Sequence, residues 1–176
     1  MDRHDPVLPD LLQPNLKLIF CGTAPSLRSA DKQAYYAHPG NKFWQVLYET
    51  RLVPIRLQPS DYHRVIEFGL GFTDLVKYAK GSDADLASSD YDIKSFSDKI
   101  EKYQPSIVAF TSKKSGETYL GRPVSYGLQT DKIGQTMIYV LPSTSGRASR
   151  YWNIGPWKNL SRLVLELNNR SVDFNN

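Results

Sequence analysis

Residues 106–111 read SIVAFT, a continuous apolar run of the kind found in strands buried on both faces of a parallel sheet. Residues 16–21 (LKLIFC) and 136–141 (TMIYVL) repeat this pattern, and a glycine or a proline follows each of these two runs. A weaker strand is predicted over residues 69–75. These runs are the candidate strands of a central sheet.

Amphipathic segments separate the candidate strands. Apolar residues at helical spacing predict helices over residues 41–51, 61–68 and 92–103, and from about Pro156 onwards. Strands that alternate with helices imply right-handed crossovers and a mostly parallel sheet covered on both faces. The predicted fold class is therefore α/β: a three-layer α/β/α sandwich around a central, mainly parallel sheet of four or five strands.

Length and composition limit the classes of protein that fit. The 176 residues fit one domain over residues 1–176, with a core at about 16–168 and frayed termini. No apolar run approaches the roughly 20 residues that span a bilayer, so we expect no membrane contact and a cytoplasmic, nucleoid-associated protein. The single Cys21 excludes an internal disulfide and a cysteine-based zinc cage. We expect a monomer that needs no metal and no cofactor.

The charge is unevenly distributed along the chain. Residues 112–176 carry 9 Lys and Arg against 4 Asp and Glu. A basic surface suits a polyanion such as DNA, because positive side chains neutralise phosphates. An ordinary solvated face with uneven charge explains the same bias equally well, so charge alone leaves both interpretations open.

Two loops follow buried strands, at the edge where parallel α/β sheets bind ligands. The first covers residues 22–29 (GTAPSLRS), where Gly22 allows a ligand to approach the backbone closely. It lacks the glycine spacing of dinucleotide and triphosphate loops, and alone it fits a simple strand-to-helix turn. The second covers residues 142–150 (PSTSGRASR), whose hydroxyls and two arginines suit phosphate contacts.

Between the loops lies a segment rich in aromatic residues, 35–44 (YYAHPGNKFW). Its adjacent tyrosines offer a flat ring to a nucleobase, and such stacking is worth about 1–3 kcal/mol per base. Asn41 is also well placed to cap the helix that follows. His38 is ambiguous, because it also fits a hydrogen bond across the Pro-Gly turn.

In their order and spacing, the three segments resemble the uracil-DNA glycosylase superfamily. The resemblance is specifically to the mismatch-specific uracil/thymine-DNA glycosylase branch and to the related hypoxanthine-DNA glycosylases. The first motif of that branch resembles G-[IV]-N-P-G, which Gly22 and Pro25 match. The middle segment resembles [FY]-A-H-P-x-N-x-F-W, matched over residues 36–44. The closing motif resembles L-P-N-P-S-G-L-S, matched at residues 141–142 and 145–146.

The resemblance covers about residues 16–164 and implies a function. It implies a monofunctional DNA-repair glycosylase that flips uracil out of DNA, hydrolyses its N-glycosidic bond and leaves an abasic site, with no cofactor. The partner would be DNA that contains uracil or another deaminated base. Flipping is required because the glycosidic bond is inaccessible inside a duplex.

Two departures from the branch pattern stand out. The Asn that orients the attacking water in the family falls on Ala24, whose side chain makes no hydrogen bonds. The apolar wedge that fills the gap left by the flipped base falls on Arg147. In the hypoxanthine-DNA branch an Asn of the middle segment is implicated in catalysis, which makes Asn41 the candidate here.

The resemblance and the loop chemistry together assign a role to each candidate residue. The catalytic candidates, which would position or activate water, are Asn41, Thr23 and His38. The base-binding candidates are Gly22, Ala24, Pro25, Ser26 and Tyr36, with Tyr36 as the stacking platform. The DNA-binding candidates are Ser29, Ser143, Ser145, Gly146, Arg147 and Ser149, with Arg147 as the wedge.

Three alternative functions remain open at this point. The first is a hypoxanthine-DNA glycosylase. The second is a catalytically inactive binder of DNA lesions, which Ala24 favours. The third, a small-molecule α/β hydrolase or transferase, is disfavoured because the sequence has no GxSxG elbow and no Ser-His-Asp set.

Overall fold

The computed structural model describes residues 5–173, with side chains described as far as residue 170. The five strands are β1 (Leu18–Gly22), β2 (Leu70–Asp74), β3 (Ile107–Phe110), β4 (Gly127–Ile133) and β5 (Thr136–Val140). The five α-helices are α1 (Leu27–Lys32), α2 (Phe43–Glu49), α3 (Ile93–Tyr103), α4 (Lys113–Leu120) and α5 (Gly155–Asp173). Four 3₁₀ segments cover Pro59–Phe68, Asp83–Asp85, Ser88–Asp90 and Gly146–Tyr151.

The five strands form one sheet in the order β2-β1-β3-β5-β4. The pairs β1/β2, β1/β3 and β3/β5 are parallel, and β4 pairs with β5 in an antiparallel hairpin. The predicted strands over residues 16–21, 69–75, 106–111 and 136–141 are thereby confirmed. The edge strand β4 was not predicted, because its residues alternate between exposed and half-buried positions and include no continuous apolar run.

Helices cover both faces of the sheet. On one face, α2 and α5 pack against aromatic residues of β1 and β2, where Phe20 stacks on Trp157 at 5.7 Å between ring centroids. On the other face, Phe96 of α3 and Tyr119 of α4 pack around Phe110 of β3. This arrangement is the predicted three-layer α/β/α sandwich.

The segments between strands differ from the prediction in two places. The predicted helix over residues 61–68 is a 3₁₀ helix that begins at Pro59. The sequence also did not reveal α1 and α4, which have six and eight residues and carry few apolar side chains.

The packed part of the chain extends beyond the predicted core at both ends. Leu8 is fully buried, and Leu11 forms an antiparallel bridge with Phe72 at the outer edge of β2. Residues before the expected core limit at about residue 16 are therefore packed, because Leu11 pairs with Phe72 of β2 and the amide of Val7 bonds to the carbonyl of Lys77. At the other end α5 continues to Asp173, past the expected core limit, and residues 174–176 lie outside the described part.

Candidate active site

The three segments that carry the motifs meet at the carboxyl ends of β1, β2 and β3. They enclose a cavity of about 210 Å³, called here the base cavity. Ten predicted site residues line it: Gly22, Thr23, Ala24, Pro25, Ser26, Ser29, Tyr36, Asn41, Ser143 and Ser145. The expectation that the first and the closing loop lie at the same end of the sheet is confirmed.

A wider groove of about 670 Å³ adjoins the base cavity and shares Ser26, Asn41 and Ser145 with it. His38, Gly146 and Arg147 line this groove, called here the outer groove. Ser149 lies exposed on the 3₁₀ segment that carries Arg147 and lines neither the base cavity nor the outer groove.

The first loop is held in place by two serines. Ser26 caps α1, because its Oγ accepts a hydrogen bond from the amide of Ser29 at 3.1 Å. Ser29 is only 4% exposed, and its Oγ accepts the amide of Ala37 at 3.2 Å. Ser29 therefore fixes the segment that carries Tyr36, and because it is buried at the wall of the base cavity, its contact with the DNA backbone stays a prediction.

Tyr36 forms one wall of the base cavity. It has a backbone φ of +52°, which is unfavourable for a residue with a Cβ and is typical of functional sites. One face of its ring stacks on Phe43, with centroids 3.8 Å apart and planes inclined by 10°. Its hydroxyl lies 3.1 Å from Thr111 Oγ1, and burial raises the pKa of Tyr36, so the hydroxyl stays protonated. The ring is held rigidly, as a stacking platform requires.

Asn41 has its side-chain oxygen fully occupied. Asn41 Oδ1 accepts the amide of Phe43 at 3.0 Å and the hydroxyl of Thr144 at 2.7 Å. Because a backbone N–H can only donate, the bond from Phe43 identifies this atom as the oxygen. Asn41 was predicted to cap α2, but the N-cap of this helix is Lys42, and Asn41 bonds to the first helical amide from the residue before it. The amide nitrogen is the polar atom left for a ligand, so Asn41 would contact water or base as a donor.

His38 is exposed, and its Nδ1 accepts the amide of Gly40 at 3.0 Å. The interpretation of His38 as a residue that hydrogen-bonds across the turn is confirmed. In the neutral ring this bond leaves the proton on Nε2, which is then a donor. His38 lines the outer groove and not the base cavity, so its catalytic role stays a prediction.

The closing loop docks directly on the middle segment. Thr144 is buried, and its carbonyl accepts the amide of Lys42 at 3.1 Å. A Cβ at Gly146 would lie 3.2 Å from the carbonyl oxygen of Gly40, so glycine permits this close approach. Arg147 follows on the exposed 3₁₀ segment at the rim of the outer groove. The loop therefore presents an arginine next to the mouth of the base cavity.

Sequence reasoning missed Asp74, the last residue of β2. Strand register places it beside Gly22, and a Cβ at Gly22 would lie 3.1 Å from Asp74 Oδ1. Asp74 is 4% exposed and lines the base cavity. Its Oδ2 has no hydrogen-bond partner within the described part of the chain. Burial raises the pKa of Asp74 to about 6, against the attraction of Lys77.

The sequence contained only an indirect signal for this residue. Residues 70–76 read LGFTDLV, in which one carboxylate interrupts an apolar run. A charged residue at the end of a buried strand is a candidate site residue, since unpaired carboxylates are costly to bury. Asp74 did not stand out as a site residue, because the strand pattern over residues 69–75 is weaker than those of the other three predicted strands.

Other kinds of site receive no support from the described residues. Between residues 5 and 173, no three His, Cys, Asp or Glu side chains are placed to hold a metal ion together. None of the helices in that range combines the length and the apolar character that crossing a bilayer requires.

Comparison with known proteins identifies the family and the fold. The model of the uracil DNA glycosylase superfamily matches residues 9–163. A solution NMR structure of a provisionally assigned uracil DNA glycosylase from Methanosarcina acetivorans superposes with a TM-score of 0.64. The two chains are 21% identical, and the match covers 89% of this chain and 96% of that one. At this identity the structural likeness concerns the fold.

Proposed function

Because the chain belongs to the uracil DNA glycosylase superfamily, we propose that it hydrolyses the N-glycosidic bond of uracil in DNA and leaves an abasic site. The observation that supports this proposal most is the base cavity. It is lined by the rigid aromatic ring of Tyr36, the hydrogen-bond donor of Asn41 and the buried carboxyl of Asp74. At roughly 30 Å³ per water molecule, 210 Å³ is room for about seven waters, which suits one flipped base.

The cavity is arranged to recognise a base by its ring N–H group. Asp74 lies beside Gly22, at the carboxyl end of the strands, while Asn41 lies at the junction with the outer groove. A base that enters from the groove would therefore direct its far edge towards Asp74. A carboxylate there accepts the N3–H of uracil, whereas cytosine presents a lone pair at N3, which a carboxylate repels.

The reaction needs little covalent chemistry from the protein. The bond between C1′ of the sugar and N1 of uracil breaks, and its electron pair leaves with the base. The oxygen of a water molecule bonds to C1′, and that water gives up one proton. Backbone amides of residues 22–26, apart from Pro25, which has no N–H, would stabilise the charge that develops on the base oxygens. Asn41 would hold the water through its amide nitrogen, and Thr23 or a main-chain carbonyl would accept a hydrogen bond from it. The proton that the water releases goes to the departing base anion or to bulk water.

Hypoxanthine is the second candidate substrate, and Asp74 is the observation that favours it. Hypoxanthine carries an N1–H next to a carbonyl, the same donor and acceptor pair that uracil presents at N3 and O4. A carboxyl group that contacts this pair does not distinguish a deaminated pyrimidine from a deaminated purine. Shape would decide between them, and such differences are worth only about 1–3 kcal/mol.

A panel of labelled oligonucleotides tests the proposal. Strands that carry uracil, hypoxanthine, xanthine or mismatched thymine are incubated with enzyme, and abasic sites are cleaved with alkali and counted. We expect multiple turnovers on uracil and a loss of at least tenfold in Asp74→Ala, with Asp98→Ala on the distant surface of α3 as the matched control. Tight binding of all four lesions without any abasic product would show an inactive binder and refute the proposal.

A further inference from the structure

Asp74 belongs to a cluster of charges that neither the motifs nor the reaction account for. The N-terminal segment lies along β2, where the amide of Val7 donates to the carbonyl of Lys77 at 2.7 Å. This segment brings Asp10 next to β2, with a side chain that is 22% exposed. Lys99 reaches the same point from α3. The cluster lines a second cavity. Asp74 lines both this cavity and the base cavity.

One carboxylate of this cluster binds both lysines. Asp10 Oδ1 lies 2.8 Å from Lys77 Nζ, and Asp10 Oδ2 lies 2.7 Å from Lys99 Nζ. The hydroxyl of Thr73 also donates to Asp10 Oδ1, at 2.7 Å. Burial opposes the charge of Asp10, but the attractions of Lys77 and Lys99 outweigh it and lower its pKa. Asp10 is therefore a firmly charged anchor for both ammonium groups.

Lys77 does not hydrogen-bond directly to Asp74, the carboxyl that lines the base cavity. Its Nζ lies 3.6 Å from Asp74 Oδ2, which is beyond hydrogen-bonding distance, and 3.4 Å from the hydroxyl of Tyr35. A lysine that bonded fully to Asp74 would fix it as a carboxylate and occupy its lone pairs. Asp10 thus competes with Asp74 for one ammonium group and holds it at the shorter distance.

We propose that Asp10 is a positioning residue for the base cavity: by holding Lys77 and Lys99 it keeps Lys77 in a loose ion pair with Asp74, short of a direct hydrogen bond, so that Asp74 is available to the flipped base. This inference rests on the proposed function and adds to it how the protonation of Asp74, the group that would contact the base, is controlled. A protonated Asp74 donates to a base carbonyl, and an ionised Asp74 only accepts from a ring N–H.

Groups from every neighbouring element act on the charge of Asp74. Lys77 and Lys99 favour its ionised form, and Asp10 opposes it. Cys21 of β1 and the two tyrosines of the middle segment are also coupled to Asp74, but burial keeps all three protonated. Asp83 lines the base cavity from the exposed loop after β2. The balance between Asp10 and the two lysines is therefore the part of this environment that a single substitution changes.

The test uses two substitutions with opposite expected signs. Asp10→Asn releases Lys77 towards Asp74 and should lower the pH at which Asp74 titrates by about one unit or more. Lys77→Met removes the nearest positive charge and should raise that pH by a similar amount. The matched control is Asp98→Asn, which breaks an exposed ion pair with Lys94 on the outer side of α3. It should leave the titration of Asp74 unchanged.

Two readouts separate this inference from the proposed function. The first is the ¹³C NMR titration of the Asp74 carboxyl in the folded protein, assigned by its loss in Asp74→Asn, which needs no substrate. The second is the pH dependence of the single-turnover rate of uracil excision. The pH at which this rate changes should move together with the NMR midpoint of Asp74, and the change should disappear in Asp74→Asn.

The possible outcomes are distinct. A fall of the Asp74 midpoint in folded Asp10→Asn that is larger than the fall caused by the same substitution in a Lys77→Met background supports the inference, even if uracil proves not to be the substrate. Equal falls in the two backgrounds overturn it, because they come from the lost charge of Asp10 alone. A rate loss in Asp10→Asn that is uniform across pH would also overturn it, because Asp10 would then support only the fold. If Asp10→Asn does not fold, Asp10→Ala takes its place in the same comparison.

Discussion

Replacing Asp74 with Asn should stabilise the protein at alkaline pH and leave its stability almost unchanged at acidic pH. Burial raises the pKa of Asp74 from an ordinary 3.8 to about 6. Below pH 3.8 the carboxyl is protonated in both the folded and the unfolded chain. As the pH rises from 3.8 towards 6, the carboxyl of Asp74 is ionised in the unfolded chain but still protonated in the folded one. Folding must then take up a proton, and above pH 6 it must bury the charge, so the free energy of unfolding falls.

The size of the effect follows from the same two values. A difference of about two pKa units corresponds to about 3 kcal/mol of unfolding free energy, fully expressed above pH 6. In a domain of this length, 1 kcal/mol moves the melting temperature by roughly 2–4 °C. Asp74→Asn should therefore melt roughly 6–12 °C higher than the wild type at pH 8, with little difference at pH 4.

Thermal melts and urea unfolding of both proteins at pH 4 and pH 8 measure this difference. Asp98→Asn serves as the control, because Asp98 is 59% exposed and solvent screens its ion pair with Lys94 at either pH. A gain of equal size at both pH values would refute the reasoning, since it would come from packing or hydrogen bonding and not from the charge.

Substitutions at four further positions test the base cavity and the outer groove. Tyr36→Ala should slow uracil excision by about 5- to 150-fold, because stacking is worth about 1–3 kcal/mol, while Tyr36→Phe should keep most of the rate; equal losses would mean that the hydroxyl is the working group. Gly22→Ala should also slow excision with little loss of stability, because its Cβ would lie 3.1 Å from Asp74 Oδ1; an unchanged rate would move the base away from this wall. Arg147→Ala should weaken binding to duplexes with an abasic site more than to single strands, which have no stack to fill, and equal losses would identify a simple phosphate contact. Asn41→Ala should lose about 1 kcal/mol of stability and most of the single-turnover rate; early melting with a near wild-type rate would assign the water to other groups.

The sheet could be predicted because its central strands are buried on both faces. The apolar runs that became β1, β3 and β5 have no other stable location in a protein of this size. The edge strand β4 has an exposed face, so its polar residues resemble those of a loop. The predicted two-sided covering followed from the alternation of strands and helices alone.

The site was only partly predictable, because motifs name residues but not their orientation. The meeting of the three loops at one edge followed from the topology rule for parallel sheets. Ser29 is a DNA-binding candidate by its position in the first loop, but its hydroxyl accepts the amide of Ala37 inside the turn, which the motif does not reveal. Asp74 is recognised as a site residue only from the pairing of β1 with β2, which places it beside Gly22.

The environment of Asp74 also argues against an inactive lesion binder, the alternative that Ala24 favours. A buried carboxyl without a hydrogen-bond partner destabilises the fold by about 3 kcal/mol at neutral and alkaline pH, and an Asn of nearly the same size would remove that penalty. Strain of this kind persists where the surrounding structure enforces it, typically at working sites. Lys77 lies 2.8 Å from Asp10 but 3.6 Å from Asp74 Oδ2, so Asp74 has an ion pair with this lysine and no direct hydrogen bond from it. A cavity that only had to hold a base would reach the same affinity with a neutral amide, whereas a carboxyl that changes its proton near pH 6 suits a cavity where charge develops on the departing base.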